Sequence, residues 1–131
     1  MSLKSLMATA AMAASLAIPA AAQEPETPVY LIASLTVPDF ERYMGEYGMP
    51  VFPMLLGAGG EVLVGTPTVE VLEGQYASNW TVVVRFPSEA AAKGWYGSPE
   101  YRDLIPVRQR LTDVSRSTLL LAPQFVFPAP E

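Results

Sequence analysis

Two runs that alternate apolar and polar residues, two helical stripes set behind capping residues, and the order strand, helix, strand, strand, helix, strand predict an α+β fold. Right-handed crossovers turn that order into a ferredoxin-like βαββαβ plan, one antiparallel sheet with its helices on a single face. The chain of 131 residues, half of them hydrophobic, is long enough for one such domain and too apolar to stay disordered.

The first strand is Val29–Val37, with Val29, Leu31, Ala33, Leu35 and Val37 on one face and the mixed set Tyr30, Ile32, Ser34 and Thr36 on the other. Asp39 is a good N-cap for a helix carrying Phe40, Tyr43, Met44 and Tyr47 at i, i+3, i+4 and i+7. Pro50 and Pro53 kink or end it, and a bent second piece is expected to about Leu56. The glycine-rich Gly57–Gly60 is a turn. Glu61–Val64 and Val69–Leu72 read as two strand pieces at a sheet edge, interrupted at Gly65-Thr66-Pro67, where a central strand would not tolerate proline.

Asn79–Phe86 is the strongest strand, with Trp80, Val82, Val84 and Phe86 on one face and Thr81, Val83 and Arg85 on the other. Ser88 caps a short helix to Tyr96, and Ser98-Pro99-Glu100 starts another with the stripe Tyr101, Leu104, Ile105 and Arg108. Asp113–Leu121 is expected as the last strand, placing Leu119 or Leu120 on the mixed face. The domain so read covers residues 29–122, and residues 123–131 form an extended tail in which Phe125 and Phe127 point the same way. Ile32, Leu72, Val83 and one of the two leucines leave the mixed face too apolar for bulk water, so a homodimer closed through it is expected.

Residues 1–22 read as an address. Lys4 gives the start a positive charge, an alanine- and leucine-rich run follows to Ile18, and Pro19-Ala20-Ala21-Ala22 supplies the helix breaker and small residues of a secretory signal peptide. The run is too short to span a bilayer. Cleavage after Ala22 leaves Gln23–Glu131, with residues 23–28 as a loose leader, and export to the bacterial periplasm is expected. With no cysteine, the exported domain rests on its core alone. Seven basic residues then face thirteen acidic ones without any basic stripe, which argues against nucleic acid and against stable membrane association.

The inventory is most informative in what it forbids. Without histidine or cysteine there is no Ser–His or Cys–His nucleophile, no histidine-ligated haem and no ordinary zinc site, so neither a cofactor nor a metal is expected. Glu70 and Glu73 lie close in sequence but read as edge charges that discourage aggregation. Asn79-Trp80-Thr81 fits the glycosylation triplet, but Asn79 begins a strand and the signal peptide looks bacterial. What remains is a set of candidate ligand-binding residues. Arg85 and Arg108 read either as internal ion pairs or as groups that recognise an anionic or carbonyl-bearing ligand. Tyr43, Tyr47, Trp95, Tyr96 and Tyr101 read either as core or as the lining of a pocket between helices and sheet.

The strand Tyr30–Leu35, the block Asp39-Phe40-Glu41-Arg42-Tyr43 with Tyr47, Gly59-Gly60, Glu73-Gly74, Phe86-Pro87-Ser88, Ala91-Ala92, Trp95-Tyr96, Ser98-Pro99-Glu100-Tyr101 and Arg108 resemble the bacterial "domain of unknown function 1330" family. The resemblance runs from about Val29 to Leu121 and implies membership of the dimeric α+β barrel superfamily, without an assigned activity. One departure matters: the family often has a histidine just before the paired glycines, where this chain has Ala58. Three functions are expected to compete: an exported homodimer that binds a small organic molecule, a metal-free, cofactor-independent enzyme resembling the monooxygenases and isomerases of that superfamily, and a structural dimer without a ligand site.

Overall fold

The computed structural model describes residues 26–129, so the signal-peptide reading and the first half of the leader fall outside the described residues. Strand β1 (Val29–Leu35) leads into a helix that begins as α1 (Phe40–Tyr43), widens into a π-helical stretch over Met44–Gly48, and continues as α2 (Met49–Gly57). Strand β2 (Glu61–Thr66), a long loop and strand β3 (Trp80–Phe86) follow. Helices α3 (Glu89–Tyr96) and α4 (Pro99–Leu111), a 3₁₀ turn at Val114–Arg116 and strand β4 (Thr118–Pro123) complete the domain. The four strands form one antiparallel sheet in the order β2-β3-β1-β4, the ferredoxin-like arrangement.

The period-two faces fall as the sequence dictates. Along β1, Val29, Leu31, Ala33 and Leu35 are buried while the residues between them are half-buried. Val84 and Phe86 of β3 are fully buried on the same side, which is the side the helices cover. Each helix has the cap its sequence announces: Asp39 Oδ1 accepts from the Arg42 N–H, Ser88 Oγ from Ala91 N–H and Ser98 Oγ from Tyr101 N–H.

The prolines do not end the first helix. Pro50 has no N–H, and its ring crowds the carbonyl four residues back, that of Glu46. The widened turn just before it, where the Met49 N–H reaches the Met44 carbonyl, accommodates the ring, and the helix runs on through Pro53 to Gly57. Gly59 then turns the chain at φ +83°, and Gly60 lies so close to the Leu55 carbonyl and to Val84 and Phe86 that a Cβ would collide with them.

Three expectations need correction. Val69–Leu72 is not a strand: Pro67 ends β2, and Val69, Val71 and Leu72 stand exposed in the loop, so Leu72 does not belong to the mixed face. The single edge strand β2 is irregular between Val62 and Val64, which leaves Leu63 unpaired. The last strand starts at Thr118 and not at Asp113, because the Asp113 carboxylate accepts from the Ser115 N–H and hydroxyl and folds residues 114–116 into a turn. Strand β4 itself runs one residue past the expected domain end, to Pro123, and the Gln124 N–H still bonds the Pro28 carbonyl. Beyond it Phe125 and Phe127 meet edge to face at 4.7 Å, and both are exposed.

Asn79 has a structural role that accounts for its position before β3. Its Oδ1 accepts from the Val37 N–H and its Nδ2 donates to the Val37 carbonyl, both at 2.7 Å, tying the exit of β1 to the entry of β3. With both amide atoms engaged, the triplet it begins is a clamp and not an acceptor for sugar. Asn79→Ala removes both bonds and strands two backbone groups; it is expected to lower stability by about 1–3 kcal/mol, read as a reduced urea midpoint at unchanged slope.

Candidate functional site

Between the sheet and the first helix lies a cavity of about 120 Å³. Its floor follows from one row of the sheet. Gly65, Val82, Ala33 and Leu119 are cross-strand neighbours on the helix-covered face, and two of the four, Gly65 and Ala33, are small. Larger residues stand on both sides of that row: Leu31, Val62 and Val84 toward one end, Leu35 and Trp80 toward the other. The roof is the π-helical segment and its neighbours, Tyr43, Met44, Tyr47, Gly48, Val51, Phe52 and Leu55. Gly65 and Ala33 beneath the helix leave a hollow that a regular leucine-packed interface would fill, whereas the absent Cβ of Gly48 makes room for the Met44 side chain.

Through Tyr47 this apolar space adjoins a polar cluster whose other members, Tyr101 and Arg108, lie behind the cavity wall. The hydroxyls of Tyr47 and Tyr101 are 2.8 Å apart, and Arg108 Nη1 donates to the Tyr101 hydroxyl at 2.7 Å. Tyr101 is fully buried, Tyr47 nearly so, and the Arg108 side chain is only 9% exposed. A guanidinium buried to that degree is ordinarily paired with a carboxylate. Among the described residues the ion pairs are Arg42–Glu46 and Lys93–Glu89, both on the surface, and none reaches Arg108. Its side-chain hydrogen bond among the described residues is to the Tyr101 phenol.

Aromatic rings enclose the cluster. Tyr43 and Tyr47 are 5.2 Å apart between ring centres, and Trp95 packs on Tyr101 at 4.1 Å. The Trp95 indole N–H is buried without a hydrogen-bond partner. Burial pushes the Tyr43, Tyr47 and Tyr101 hydroxyls well above the ordinary phenol range; the neighbouring Arg108 charge pulls the other way and does not overcome it. All three phenols are therefore protonated at neutral pH, and a protonated hydroxyl can donate one hydrogen bond while accepting another, as Tyr101 accepts from Arg108.

The structure thus brings together five of the seven residues that the sequence marks: Tyr43, Tyr47, Trp95, Tyr101 and Arg108. Tyr96 is a neighbour only. Its ring contacts Trp95 and Tyr101, but the residue is 43% exposed and borders a separate shallow groove with Leu31, Ala92 and Leu119–Leu121. Arg85 stands apart on the opposite face of the sheet, paired across strands with Tyr30 and Glu61. The candidate list omits Trp80, Met44, Val51, Phe52 and Leu55, which complete the wall. The signal for Met44, Val51, Phe52 and Leu55 is the helical stripe, read through to Leu55 past the prolines, and for Trp80 the alternating face of β3.

The model of the family described as "Domain of unknown function (DUF1330)" matches residues 28–121. The chain belongs to this family. The fold of this DUF1330 protein is also that of a protein of unknown function from Rhodopseudomonas palustris, RPA0582, at 23% identity and TM-score 0.60, over 81% of this chain and 88% of that one. The crystal structure of methylated RPA0582 gives TM-score 0.63 at 22% identity, over 81% and 87% of the two chains. No curated protein matches the chain. Membership brings the fold without an activity, so the chemistry rests on the residues themselves.

Two consequences are testable. Tyr101→Phe removes the one acceptor that Arg108 Nη1 has among the described residues and is expected to destabilise by about 1–3 kcal/mol in urea unfolding. Arg108→Met removes the buried charge together with its need and is expected to be neutral or stabilising by the same measurement. The phenols also set an alkaline limit. Their folded pKa values lie above the ordinary value near 10, so below that pH both states hold the protons and no stability is lost. Above about pH 10 the unfolded chain releases protons that the folded one retains, and the melting temperature is expected to fall steadily; Tyr47→Phe reduces that slope.

Proposed function

We propose that this DUF1330 protein is an exported homodimer that binds a small organic molecule in the cavity beneath the first helix. The observation that carries the binding reading is the conjunction of an apolar hollow with a buried Tyr47–Tyr101–Arg108 cluster at its edge. A fold stabilised for packing alone gains nothing from a guanidinium buried without a carboxylate. A binding site gains a positive charge held in a dry place, where it attracts strongly. The raised phenol pKa values favour binding over proton abstraction, because no group at the site is a base at neutral pH.

The dimer reading is supported by the open face of the sheet. Val64, Val83, Ile32 and Leu120 are cross-strand neighbours in one row across all four strands on that face, flanked by the row Thr66, Thr81, Ser34 and Thr118. Leu120 is the leucine that faces outward, since it pairs with Ile32, whereas Leu119 pairs with Ala33 on the covered side. A contiguous apolar stripe between the threonine-bearing row and the row Glu61, Arg85, Tyr30 and Ala122 suits a second copy of the same face, related by a two-fold axis. Export is supported by the charged start, apolar run and small-residue site of residues 1–22.

Native mass spectrometry of the mature protein, purified from its exported fraction, tests the binding reading. The expected result is a small organic adduct that Ala33→Leu abolishes, since leucine fills the floor of the hollow. The wild-type chain taking up neither a cellular molecule nor any added apolar probe overturns it. Sedimentation tests the dimer separately: wild-type protein at micromolar concentration is expected to be dimeric and Ile32→Glu monomeric, with the cavity intact in both. A monomeric wild-type protein overturns the open-face argument.

A further inference from the structure

The hydrogen-bond inventory around the cavity is unbalanced in one direction. Tyr47 and Tyr101 carry two hydroxyl protons and share a single bond, so whichever of them donates, one proton is left without a partner in the pair. Arg108 adds five N–H donors to the cluster, of which one is spent on the Tyr101 oxygen. It also lies beside the Tyr47 hydroxyl. The buried indole N–H of Trp95, whose side chain lines the cavity, has no acceptor. Against these donors, no carboxylate is paired with Arg108 among the described residues. Buried donors left over in a native protein are costly, about 1–3 kcal/mol each, and a ligand that supplies acceptors relieves them.

We propose that the missing partner is a carboxylate, and that the ligand is a small apolar monocarboxylate. Its hydrocarbon part occupies the hollow over Ala33, Val82 and Gly65, and its carboxylate oxygens meet the surplus hydroxyl proton of the Tyr47–Tyr101 pair with the Arg108 charge behind them. This assignment rests on the small-molecule reading above and narrows it. Two properties set the size and character of the ligand. The volume of about 120 Å³ suits a single aromatic ring or a short branched chain and excludes long fatty acids or nucleotides. Most of the wall is apolar, so hydroxyl-rich molecules such as sugars would bury unpaired hydroxyls against Leu35, Val51 and Leu55. One anionic head on a compact apolar body is the chemistry that satisfies both ends.

The pairing logic also accounts for the tyrosines being tyrosines. A carboxylate in place of either phenol would neutralise Arg108 internally and exclude an anionic guest. Phenols that stay protonated hold the guanidinium in position and leave its charge uncompensated. In that sense Tyr101, which bonds Arg108 directly and is fully buried, is a positioning residue, and Tyr47, which lines the cavity, is the one that touches the ligand.

Calorimetric titration of the mature wild-type protein with benzoate and with its uncharged analogue benzyl alcohol decides the matter. Benzoate is expected to bind at least about tenfold more tightly, the range of a charge-assisted hydrogen bond. Arg108→Gln is expected to erase that preference by weakening benzoate, and Arg108→Lys to restore part of it. Tyr47→Phe, which keeps the ring and the wall, is expected to weaken benzoate several-fold; it serves as the independent variant if the Arg108 substitutions fail to fold by circular dichroism. Equal binding of the two probes, or a preference that survives both Arg108→Gln and Tyr47→Phe, overturns the carboxylate assignment and leaves the small-molecule reading standing. Binding of neither probe, together with no protection by toluene, overturns both.

Discussion

Strand β1 is the constraint on which the rest depends. It is one of the two inner strands, bonded to β3 on one side and to β4 on the other, and its side chains alternate without a break between a dry face and a half-covered one. A shift of one residue in its register would turn Leu31, Ala33 and Leu35 outward and bury Tyr30, Ile32 and Ser34 under the helices. The devices at its ends hold that register. At its exit Asn79 grips both backbone atoms of Val37, while the Thr36 N–H donates to Ser117 Oγ and the Thr36 hydroxyl to the Arg116 carbonyl; at its entry the Gln124 N–H closes on Pro28. Once β1 is fixed, the small side chain of Ala33 is fixed in the middle of the covered face, and with it the hollow.

The hollow and the buried cation have a common origin in how the first helix meets the fourth. The π-helical stretch widens the turn that carries Tyr47, and Tyr47 is where α4 is reached, through Tyr101 and then Arg108. A regular helix filled with leucine at positions 44, 47 and 48 would pack closer to the sheet and have no use for an arginine on the facing helix. The widened turn, the two prolines that follow it, the glycine at 48 and the arginine at 108 therefore belong to one arrangement, although they are scattered over sixty residues of sequence. Extended turns of this kind cost regular hydrogen bonding and are common where a helix borders a site.

Much of this was legible beforehand and the reasons for the rest are specific. The faces of β1 and β3 and the three helix caps follow from local rules: period two, and a short polar side chain before a turn. Tyr43, Tyr47, Trp95, Tyr101 and Arg108 were recognisable as one group only because each lies on an apolar stripe with a polar atom that needs a partner. Val69–Leu72 misled because alternation in a loop looks like alternation in a strand; the difference is that no neighbouring strand is within reach once Pro67 has ended β2. Asp113 misled for the opposite reason, since its capping of Ser115 is a local bond that outcompetes strand pairing. The π-helical widening, and the cavity with it, was not legible at all: it depends on how Pro50 is accommodated against Glu46, which is a three-dimensional question. Arg85 and Arg108 looked alike in the sequence, each an arginine among apolar neighbours, and only the register of the sheet separates them.

That separation has a consequence for how the molecule works. Arg85 stands with Glu61 and Tyr30 on the open face, where a charged row borders the apolar row Val64, Val83, Ile32 and Leu120. Arg108 stands on the other side of the sheet, among phenols. The two faces share a backbone but no side chains, so a substitution on one changes the other only by moving a strand. Residues so placed contribute additively unless the strand between them shifts. Of the bridging strands, β1 and β3 carry the dense ladder of hydrogen bonds and do not yield easily, whereas the irregular edge strand β2 presents Val64 to one face and Gly65 to the other. If a second copy covers the open face as proposed, the two edge strands connect it to the hollow: β2 through Val64 and Gly65, and β4 through Leu120 and Leu119, which it presents to the two faces in the same way.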